Sequence, residues 1–370
     1  MEKPAVSDIA ATIERLVPLS YAAEWDNVGL QVGDPTGPVE RLGITLELSH
    51  SVLDEALSKN IDLILTHHPL IFKPLAQITP YRPTDLVYRA ITEGVAVYSA
   101  HTNLDVLDIG PSGVWASIFN LRDCVPVEPV GDLLKLVVFV PRTQVERVRQ
   151  SLGDVGAGHI GKYSHCAFYA DGTGSFLPAE TSDPYIGQRG ELTEVEEVRL
   201  ETVLPSALLG EVLSALYDAH PYEEPAFDLY PLKNTRTDVG MGRFGKLDQP
   251  TTIDGLLKTI ENVMGLGPVR VAGEEDREIH SMAICGGKGE GLWQKAHQLG
   301  ADVFLSGDMS YHEVFEMVRA GLVAIDLGHV GSEVPVVSAM KDLLKDRVPK
   351  ACSVIELSSP PDPWHDRQKD

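Results

Sequence analysis

Apolar and polar positions follow a pattern that occurs twice along the chain. Residues 42–66 (LGITLELSHSVLDEALSKNIDLILT) run from an apolar stretch through a polar turn and an amphipathic segment into a second apolar stretch. Residues 281–306 (SMAICGGKGEGLWQKAHQLGADVFLS) repeat this plan. Short apolar runs indicate buried strands and apolar spacings of three to four indicate a helix, so each copy predicts a strand, a helix and a second strand.

A further apolar segment follows each copy, at residues 94–100 (GVAVYSA) and 321–327 (GLVAIDL). Strands separated by helices pair in parallel, and ligands of such sheets bind beyond the carboxyl ends of the strands. The second strand of each copy runs into a polar cluster, HHP in the first and GDMSYH in the second. We therefore predict two related α/β halves with a shared site, although each cluster alone is also typical of an ordinary polar loop.

The middle of the chain follows a different plan. Residues 135–232 predict strand, helix, strand, strand, helix and strand, which is the ferredoxin-like βαββαβ order, over a length that can fold on its own. We therefore expect residues 1–134 and 233–370 to form the α/β core and residues 135–232 to form an inserted domain. The GAGHIG stretch at 156–161 matches G-x-G-x-x-G, but a predicted helix precedes it and a strand follows, the reverse of a dinucleotide site.

Composition narrows the classes of function. The chain has 370 residues, 31 of them basic and 54 acidic, for a net charge of −23 and without a basic stripe, so non-specific nucleic-acid binding is not expected. The four cysteines are scattered without a C-x-x-C pair, which favours a reducing cytoplasm. No apolar run approaches the ~20 residues of a membrane helix. The N-terminal segment predicts an amphipathic helix capped by Ser7 rather than a signal peptide.

Residues that can bind a metal follow the predicted strands of the first half. His67 and His68 come directly after the apolar run IDLILT, where the chain leaves the sheet. Adjacent residues on an extended strand point to opposite sides, so a bend is needed for the two imidazoles to reach different ions of one site. Asp105 follows the next strand and can add a carboxylate, with His101 as a rival ligand.

The second half offers His329 and Glu333, which are four residues apart and share a face if the segment is helical. Pro335 suits a first helical turn, which would place Glu333 at the start of that helix. Three imidazoles and two carboxylates are a nitrogen and oxygen set that suits zinc, manganese, iron or nickel. Five ligands exceed the needs of one open site, so we predict two divalent ions bridged by a carboxylate.

Five motifs occur in an order that resembles the GTP cyclohydrolase I type 2 homologue family, the Nif-three-like dinuclear metal proteins: WDNVGLQVG (25–33), THHPLIF (66–72), SAHTNLDV (99–106), SGDMSYHE (306–313) and GHVGSE (328–333). The resemblance covers both outer segments. The central segment is similar to the extra domain of the longer bacterial members, which has the shape of PII and CutA proteins. The resemblance implies that His67, Asp105 and Glu333 hold one ion. His68, His329 and the bridging Glu333 would hold the other.

The chain departs from the family pattern at Glu47, where an aspartate is expected, and at Trp115, where an asparagine is common. Both lie outside the five proposed ligands, so we expect them to alter substrate contacts more than metal binding. His101, His312 and Asp308 are the candidate catalytic or ligand-orienting residues. A second group lies in the central segment and is better explained as turn and core residues than as a site: His159, His165, Cys166 and His220.

Three functions compete at this point. The first is a metal-dependent hydrolase of a nucleotide-like or phosphorylated small molecule, with GTP ring opening as the activity that the resemblance implies. The second is a metal-dependent phosphatase or phosphodiesterase. The third is a metal-binding regulatory or scaffold protein without catalysis. The resemblance also implies a homohexamer.

Overall fold

The computed structural model describes residues 3–131, 133–234, 236, 238–265, 269–274, 276–360 and 363. The strands are β1 (Gly29–Val32), β2 (Arg41–Thr45), β3 (Leu63–Thr66), β4 (Ala96–Ser99), β5 (Arg122–Val125), β6 (Glu128–Pro129), β7 (Leu133–Pro141), β8 (Phe168–Phe176), β9 (Thr193–Pro205), β10 (Phe227–Leu232), β11 (Gly240–Met241), β12 (Arg243–Thr251), β13 (Arg270–Ala272), β14 (Ile279–Ile284), β15 (Val303–Ser306), β16 (Val323–Asp326) and β17 (Ser353–Glu356).

The α-helices are α1 (Val6–Leu16), α2 (His50–Ser58), α3 (Asp85–Thr92), α4 (Thr102–Asp105), α5 (Pro111–Ile118), α6 (Val145–Asp154), α7 (Leu209–Ala219), α8 (Ile253–Met264), α9 (Leu292–Gln298), α10 (Tyr311–Arg319), α11 (Gly328–Glu333) and α12 (Pro335–Leu344). None of the helices in the described ranges is long and apolar enough to cross a membrane. The chain divides into two compact units, an outer unit of Met1–Val130 with Thr237–Asp370 and a central unit of Gly131–Arg236.

The outer unit contains two larger sheets, one with four parallel strands and the other with three. The first sheet has the order β1-β4-β3-β2-β17, in which β17, β2, β3 and β4 are parallel and β1 is antiparallel to β4. The second has the order β13-β16-β15-β14-β12-β5, in which β14, β15 and β16 are parallel. The two repeated strand and helix patterns therefore form a mixed α/β structure, as the sequence predicts.

Burial explains why the parallel strands read as continuous apolar runs. Every residue of β3, β4, β15 and β16 is buried, because helices cover both faces of a parallel sheet. Each fully buried aliphatic side chain, such as Leu63 or Ile64, contributes about 1.5–3 kcal/mol relative to exposure. The polar residues that directly follow these buried strands therefore lie at the sheet edges, where the strands end.

An aspartate accepts equivalent backbone hydrogen bonds in both halves. The Asp62 carboxylate accepts hydrogen bonds from the backbone N–H groups of Glu40 and Arg41 at 2.8 and 3.0 Å. The Asp302 carboxylate accepts from the N–H groups of His280 and Ser281 at 2.9 and 3.0 Å. Each aspartate precedes a central strand and fixes the beginning of its neighbour, so the repeat extends to single hydrogen bonds.

The first helix begins earlier than expected. Helix α1 starts at Val6 with Ala5 as its cap residue, and the Ala5 N–H donates to the Asp8 carboxylate at 2.8 Å. The Val6 N–H also donates to the Gly37 carbonyl, which holds the chain at this point. The prediction of Ser7 as the cap was wrong, because Ser7 lies inside the first helical turn.

The central unit follows the order strand, helix, strand, strand, helix, strand. Its sheet has the order β10-β7-β9-β8 with every neighbouring pair antiparallel. Helices α6 and α7 pack on one face, where Leu136, Leu200 and Leu216 belong to the core. The GAGHIG stretch follows α6 as a turn, with positive φ angles at Gly156, Gly158 and Gly161.

Candidate metal centre

His67 is held in one orientation at the end of β3. Its side chain is 3% exposed, and its Nδ1 lies 2.9 Å from the Ala100 carbonyl oxygen. A carbonyl oxygen only accepts, so Nδ1 carries the proton and Nε2 presents a lone pair. This is the tautomer in which an imidazole binds a metal through Nε2.

Asp105 faces that lone pair from the end of the short helix α4. Its Oδ1 lies 3.4 Å from His67 Nε2, and neither atom has a hydrogen-bond partner in the described part of the chain, although both are buried. Two ligand atoms on one tetrahedral zinc ion, each at about 2.1 Å, lie about 3.4 Å apart. Two buried acceptor atoms facing each other at this distance fit a cation between them.

Glu333 lies between two groups of imidazoles. Its Oε1 is 4.0 Å from His67 Nε2, whereas its Oε2 is 2.9 Å from His68 Nε2 and 3.4 Å from His329 Nε2. The Nε2 atoms of His68 and His329 are 3.3 Å apart. The structure thus brings together all five of the residues that the sequence singled out as ligands.

A short helix places His329 and Glu333 on one face. Both lie in α11, and Pro335 is the first residue of the following helix α12. The expectation that Glu333 starts a helix was wrong, because it is the last residue of α11. The four-residue spacing still places both side chains toward His68 because α11 is helical over that interval.

Electrostatics favour a charged Glu333. Burial raises its pKa, but the His68 hydrogen bond and the charges of His67 and His329 outweigh burial and lower it to about 2. Burial likewise lowers the pKa of His68, and the hydrogen bonds to Glu333 and Glu47 overcome it and raise the pKa to about 10. Without ions, a proton on His68 therefore balances the charge of Glu333, and metal binding displaces that proton.

His101 lies beside the ligand residues. One ligand atom each of His67, His68 and His101 lie within 4.8 Å of one another. The Nδ1 atom of His101 is 3.0 Å from Asp26 Oδ1, and Asp26 Oδ2 accepts hydrogen bonds from the hydroxyl and the N–H of Thr102. Burial raises the pKa of Asp26, but these hydrogen bonds lower it well below its usual range. His101 is thus placed both as a rival ligand and as a proton carrier.

Asp308 and His312 differ in their relation to this cluster. The Asp308 Oδ2 lies 3.0 Å from His329 Nδ1, so it can orient that ring, and its φ of +51° places it in the left-handed region. His312 is exposed in the first turn of α10 with its ring against Tyr311. Among the described residues, His312 belongs to neither group that could hold an ion.

Several supporting residues were missed from the sequence or given another role. The Glu47 Oε2 lies 3.7 Å from His68 Nδ1, and the buried indole N–H of Trp115 donates to the carbonyl of Ser332, the neighbour of Glu333. Both departures from the family pattern therefore touch the surroundings of ligands. For Asp26, the sequence feature that could have pointed to such a role is the polar WDN stretch before β1.

A glycine turn makes room for Glu333. Gly287 has a φ of +66°, and a Cβ there would lie 2.6 Å from Glu333 Oε1. Its N–H donates to the Ser332 hydroxyl at 2.9 Å. The CGGKG segment of the second half is therefore a close backbone support for the carboxylate, a role that sequence reasoning did not assign.

Comparisons with known proteins identify related sequences. The sequence model of the Duf34/NIF3 (NGG1p interacting factor 3) family matches residues 4–363. The GTP cyclohydrolase 1 type 2 homolog of Bacillus subtilis (strain 168) is 39% identical over 329 residues, 88% of each chain. The protein of the same name from Mycobacterium tuberculosis (strain ATCC 25618 / H37Rv) is 34% identical over 97% of this chain and 96% of its own.

Solved structures show the same relationship. The crystal structure of a Bacillus cereus protein related to NIF3 has a TM-score of 0.87 and 35% identity, covering 99% of this chain and 100% of that one. Staphylococcus aureus protein SA1388 has a TM-score of 0.77 and 26% identity over 99% of this chain and 100% of its own. This chain belongs to the DUF34/NIF3 family.

Proposed function

We propose that the chain binds two divalent metal ions and acts as a hydrolase. The observation that carries the proposal is the pair of buried, unpartnered atoms His67 Nε2 and Asp105 Oδ1, 3.4 Å apart. A buried acceptor without a partner costs on the order of 1–3 kcal/mol, and a cation between the two satisfies both. The donor set of nitrogen and oxygen suits zinc first, and also iron, manganese or nickel.

The ligands divide into two sets that share Glu333. The first consists of His67, Asp105 and Glu333, and the second of His68, His329 and Glu333. The support for this division is that the two oxygens of Glu333 face different imidazoles. A shared carboxylate offsets the repulsion between two ions and leaves positions open for water and substrate.

The residues around the ligands supply orientation and proton transfer. When bound, such ions lower the pKa of a water molecule and polarise a substrate oxygen. Asp308 holds the His329 ring, and Asp26 holds His101 with one ring nitrogen turned to exchange a proton with substrate. His312 is left out of this role because its side chain is exposed and contacts Tyr311.

Two exposed aromatic residues favour a substrate that contains a planar ring. Trp25 is 62% exposed and Phe72 is 48% exposed, and their ring centroids are 5.9 Å apart. The Trp25 ring also lies 6.2 Å from that of His101. A base stacked on these side chains would lie beside the proposed ions, which supports a nucleotide-like substrate and ring opening of the kind that the relatives' name describes.

The test is an assay of products from GTP with zinc-loaded or manganese-loaded protein. Formate release supports ring opening, and phosphate release without formate supports the phosphatase alternative. If two ions are bound and neither product is released, the result supports a regulatory or scaffold role. His68→Ala should abolish turnover, whereas His50→Ala, which changes an exposed histidine paired with Asp85, should not. Trp25→Ala should raise KM for GTP more than it changes metal content.

The central unit and the assembly complete the proposal. We propose that residues 135–232 are an inserted ferredoxin-like domain of the PII and CutA kind, supported by the strand order of the central unit. The family resemblance supports a cytoplasmic homohexamer. Sedimentation equilibrium of the purified chain tests the assembly, and a mass of fewer than six chains would contradict it.

A further inference from the structure

A large cavity lies in the central unit. Its volume is about 910 Å³, within the range of about 300–1,000 Å³ that is usual for small-molecule sites. Among the residues that line it are Phe139 and Arg199. These side chains alternate along β7 and β9 with core residues such as Val138 and Leu200, so the cavity lies on the sheet face opposite α6 and α7.

Small residues of β8 form the floor of the cavity. Ala170, Gly172 and Gly174 line it, and Gly172 is in register with Glu197 of β9. A Cβ at Gly172 would have no heavy atom within 4 Å, and Gly172 has no positive φ angle that would require glycine. The strand therefore leaves open space at Gly172, whereas at Gly174 the Glu197 carboxylate lies where a side chain would be.

Aromatic residues line the cavity at its sides. Phe139, Phe176, Tyr185 and Tyr222 all belong to the lining. The Tyr222 ring centroid lies 5.9 Å from that of Phe176 and 6.3 Å from that of Tyr185. Aromatic faces attract cations within about 6 Å through the ring quadrupole.

The charge of the lining is negative. Glu197 is only 8% exposed, and its Oε1 accepts a hydrogen bond from the Tyr222 hydroxyl at 2.9 Å. Glu223 and Glu224 also line the cavity. Glu223 accepts the backbone N–H of Asp183, and the neighbouring Lys135 and Arg199 pair with Glu201 rather than with any of these three glutamates. Burial, followed by the contact with Glu197, raises the pKa of Tyr222, so its hydroxyl stays protonated.

Arg199, the basic residue of the lining, is paired with another acidic residue. Arg199 Nε bonds Glu201 Oε1 at 2.9 Å, and its guanidinium lies 5.6 Å from the Phe139 ring centroid. Asp171, the remaining acidic residue of the lining, is paired with Arg142. A buried carboxylate that has only a neutral hydroxyl as partner is costly unless a positive charge joins it.

We propose that this cavity binds a small organic cation, with its charged nitrogen against Glu197 and its carbon skeleton against the aromatic walls. The volume and the apolar walls exceed what a bare metal ion uses, which favours an amine or quaternary ammonium compound. This site is independent of the proposed metal centre and of the activity assigned to it. It gives the central unit a ligand of its own.

The test compares three probes of one shape on the full-length, metal-loaded chain. Calorimetry and saturation-transfer NMR measure binding of 2-phenylethylamine, 2-phenylethanol and 3-phenylpropionate, which are cationic, neutral and anionic at neutral pH. The amine should bind at least about 10-fold more tightly than the alcohol, since charge pairing with a desolvated carboxylate adds to the shared ring contact. Equal binding of all three, preference for the anion, or no binding at all overturns the proposal.

Variants locate the site. Glu197→Gln keeps the volume and a hydrogen-bond acceptor for Tyr222, and should weaken the amine about 10-fold while leaving the alcohol unchanged. Glu196→Gln, the control, makes the same change at the exposed neighbouring position on the other side of β9 and should leave both unchanged. Gly172→Val places a side chain in the open space and should remove binding of both probes.

Three further results would overturn the inference. Calcium binding that is lost in Glu197→Gln, without amine binding to the parent chain, would make the glutamates a metal site. A change of oligomeric state in Gly172→Val, again without amine binding, would make the cavity an interface with a second copy. Amine binding that persists in Gly172→Val, in a variant with native circular dichroism, would place the ligand elsewhere.

Discussion

Replacing Glu333 by glutamine keeps the side-chain volume and removes one negative charge. The Oε1 atom of Glu333 lies 4.0 Å from His67 Nε2, and the Oε2 atom lies 2.9 Å from His68 Nε2. The carboxylate is buried and faces both proposed ion positions. Glutamine can still accept a hydrogen bond from His68, so the fold should persist while the shared anion is lost.

The size of the effect follows from the charges. Two divalent ions about 4 Å apart repel by about 4 kcal/mol even at the dielectric constant of water, equivalent to about 10³ in a binding constant. Removal of a group that only orients a ligand costs about 10- to 100-fold in affinity, so loss of a direct ligand should cost more. We expect both ions to bind at least about 100-fold more weakly, and the second ion about 10³-fold more weakly.

Calorimetric titration of chelator-stripped protein with zinc measures both affinities. His68→Ala should chiefly weaken one ion, because His68 belongs to one proposed set. Glu47→Gln is the matched control for charge, since Glu47 lies 3.7 Å from the other ring nitrogen of His68 and should act more mildly. Selective loss of one ion in Glu333→Gln, with the affinity of the other unchanged, would refute the shared carboxylate.

Three further predictions concern the central segment and two single residues. Replacement of residues 135–232 by a short Gly/Ser linker should leave two ions bound per chain, and elemental analysis showing loss of metal despite native circular dichroism would contradict an independent insert. Trp115→Phe should lower the free energy of unfolding in urea by about 1–3 kcal/mol, because the Ser332 carbonyl loses its buried donor; an unchanged value would show that this bond is not needed. Burial lowers the pKa of His220, whose Nδ1 accepts a hydrogen bond from the Tyr222 N–H. As the pH falls, His220 is therefore protonated in the unfolded chain before it is protonated in the folded chain. Stability contributed by neutral His220 should be constant above about pH 6.5 and fall below it, and His220→Gln should flatten that part of the curve in urea titrations at several pH values.

The sequence predicted much of the outer unit because local patterns carry it. The apolar runs at 42–66 and 281–306 have the length and flanks of buried strands, and Asp62 and Asp302 occupy equivalent places in both copies. The carboxyl ends of parallel strands meet at one edge, so polar residues after those runs were expected to lie together. His67 and His68 are adjacent in sequence, so predicting where the strand ends was enough to place both of them at the sheet edge.

Other parts of the site depend on contacts between distant residues. The bond from His68 to Glu333 joins positions 265 residues apart, and that from His101 to Asp26 joins positions 75 apart. The periodicity of apolar residues carries no information about contacts between positions so far apart in the sequence. Glu47 and Trp115 looked like changes that affect substrate, but their positions against His68 and Ser332 were visible only once the chain was folded.

The sequence by itself determined which segments form strands and helices and which residue types stand at the strand ends, because apolar periodicity and burial are local consequences of side-chain chemistry. The tertiary structure alone decided that His67 Nε2 and Asp105 Oδ1 face each other without a partner, and that Glu333 turns one oxygen to each group of imidazoles. It also decided that Gly172 lies under an open cavity. These features are distances between side chains on different elements, and packing of the whole sheet and its helices sets them.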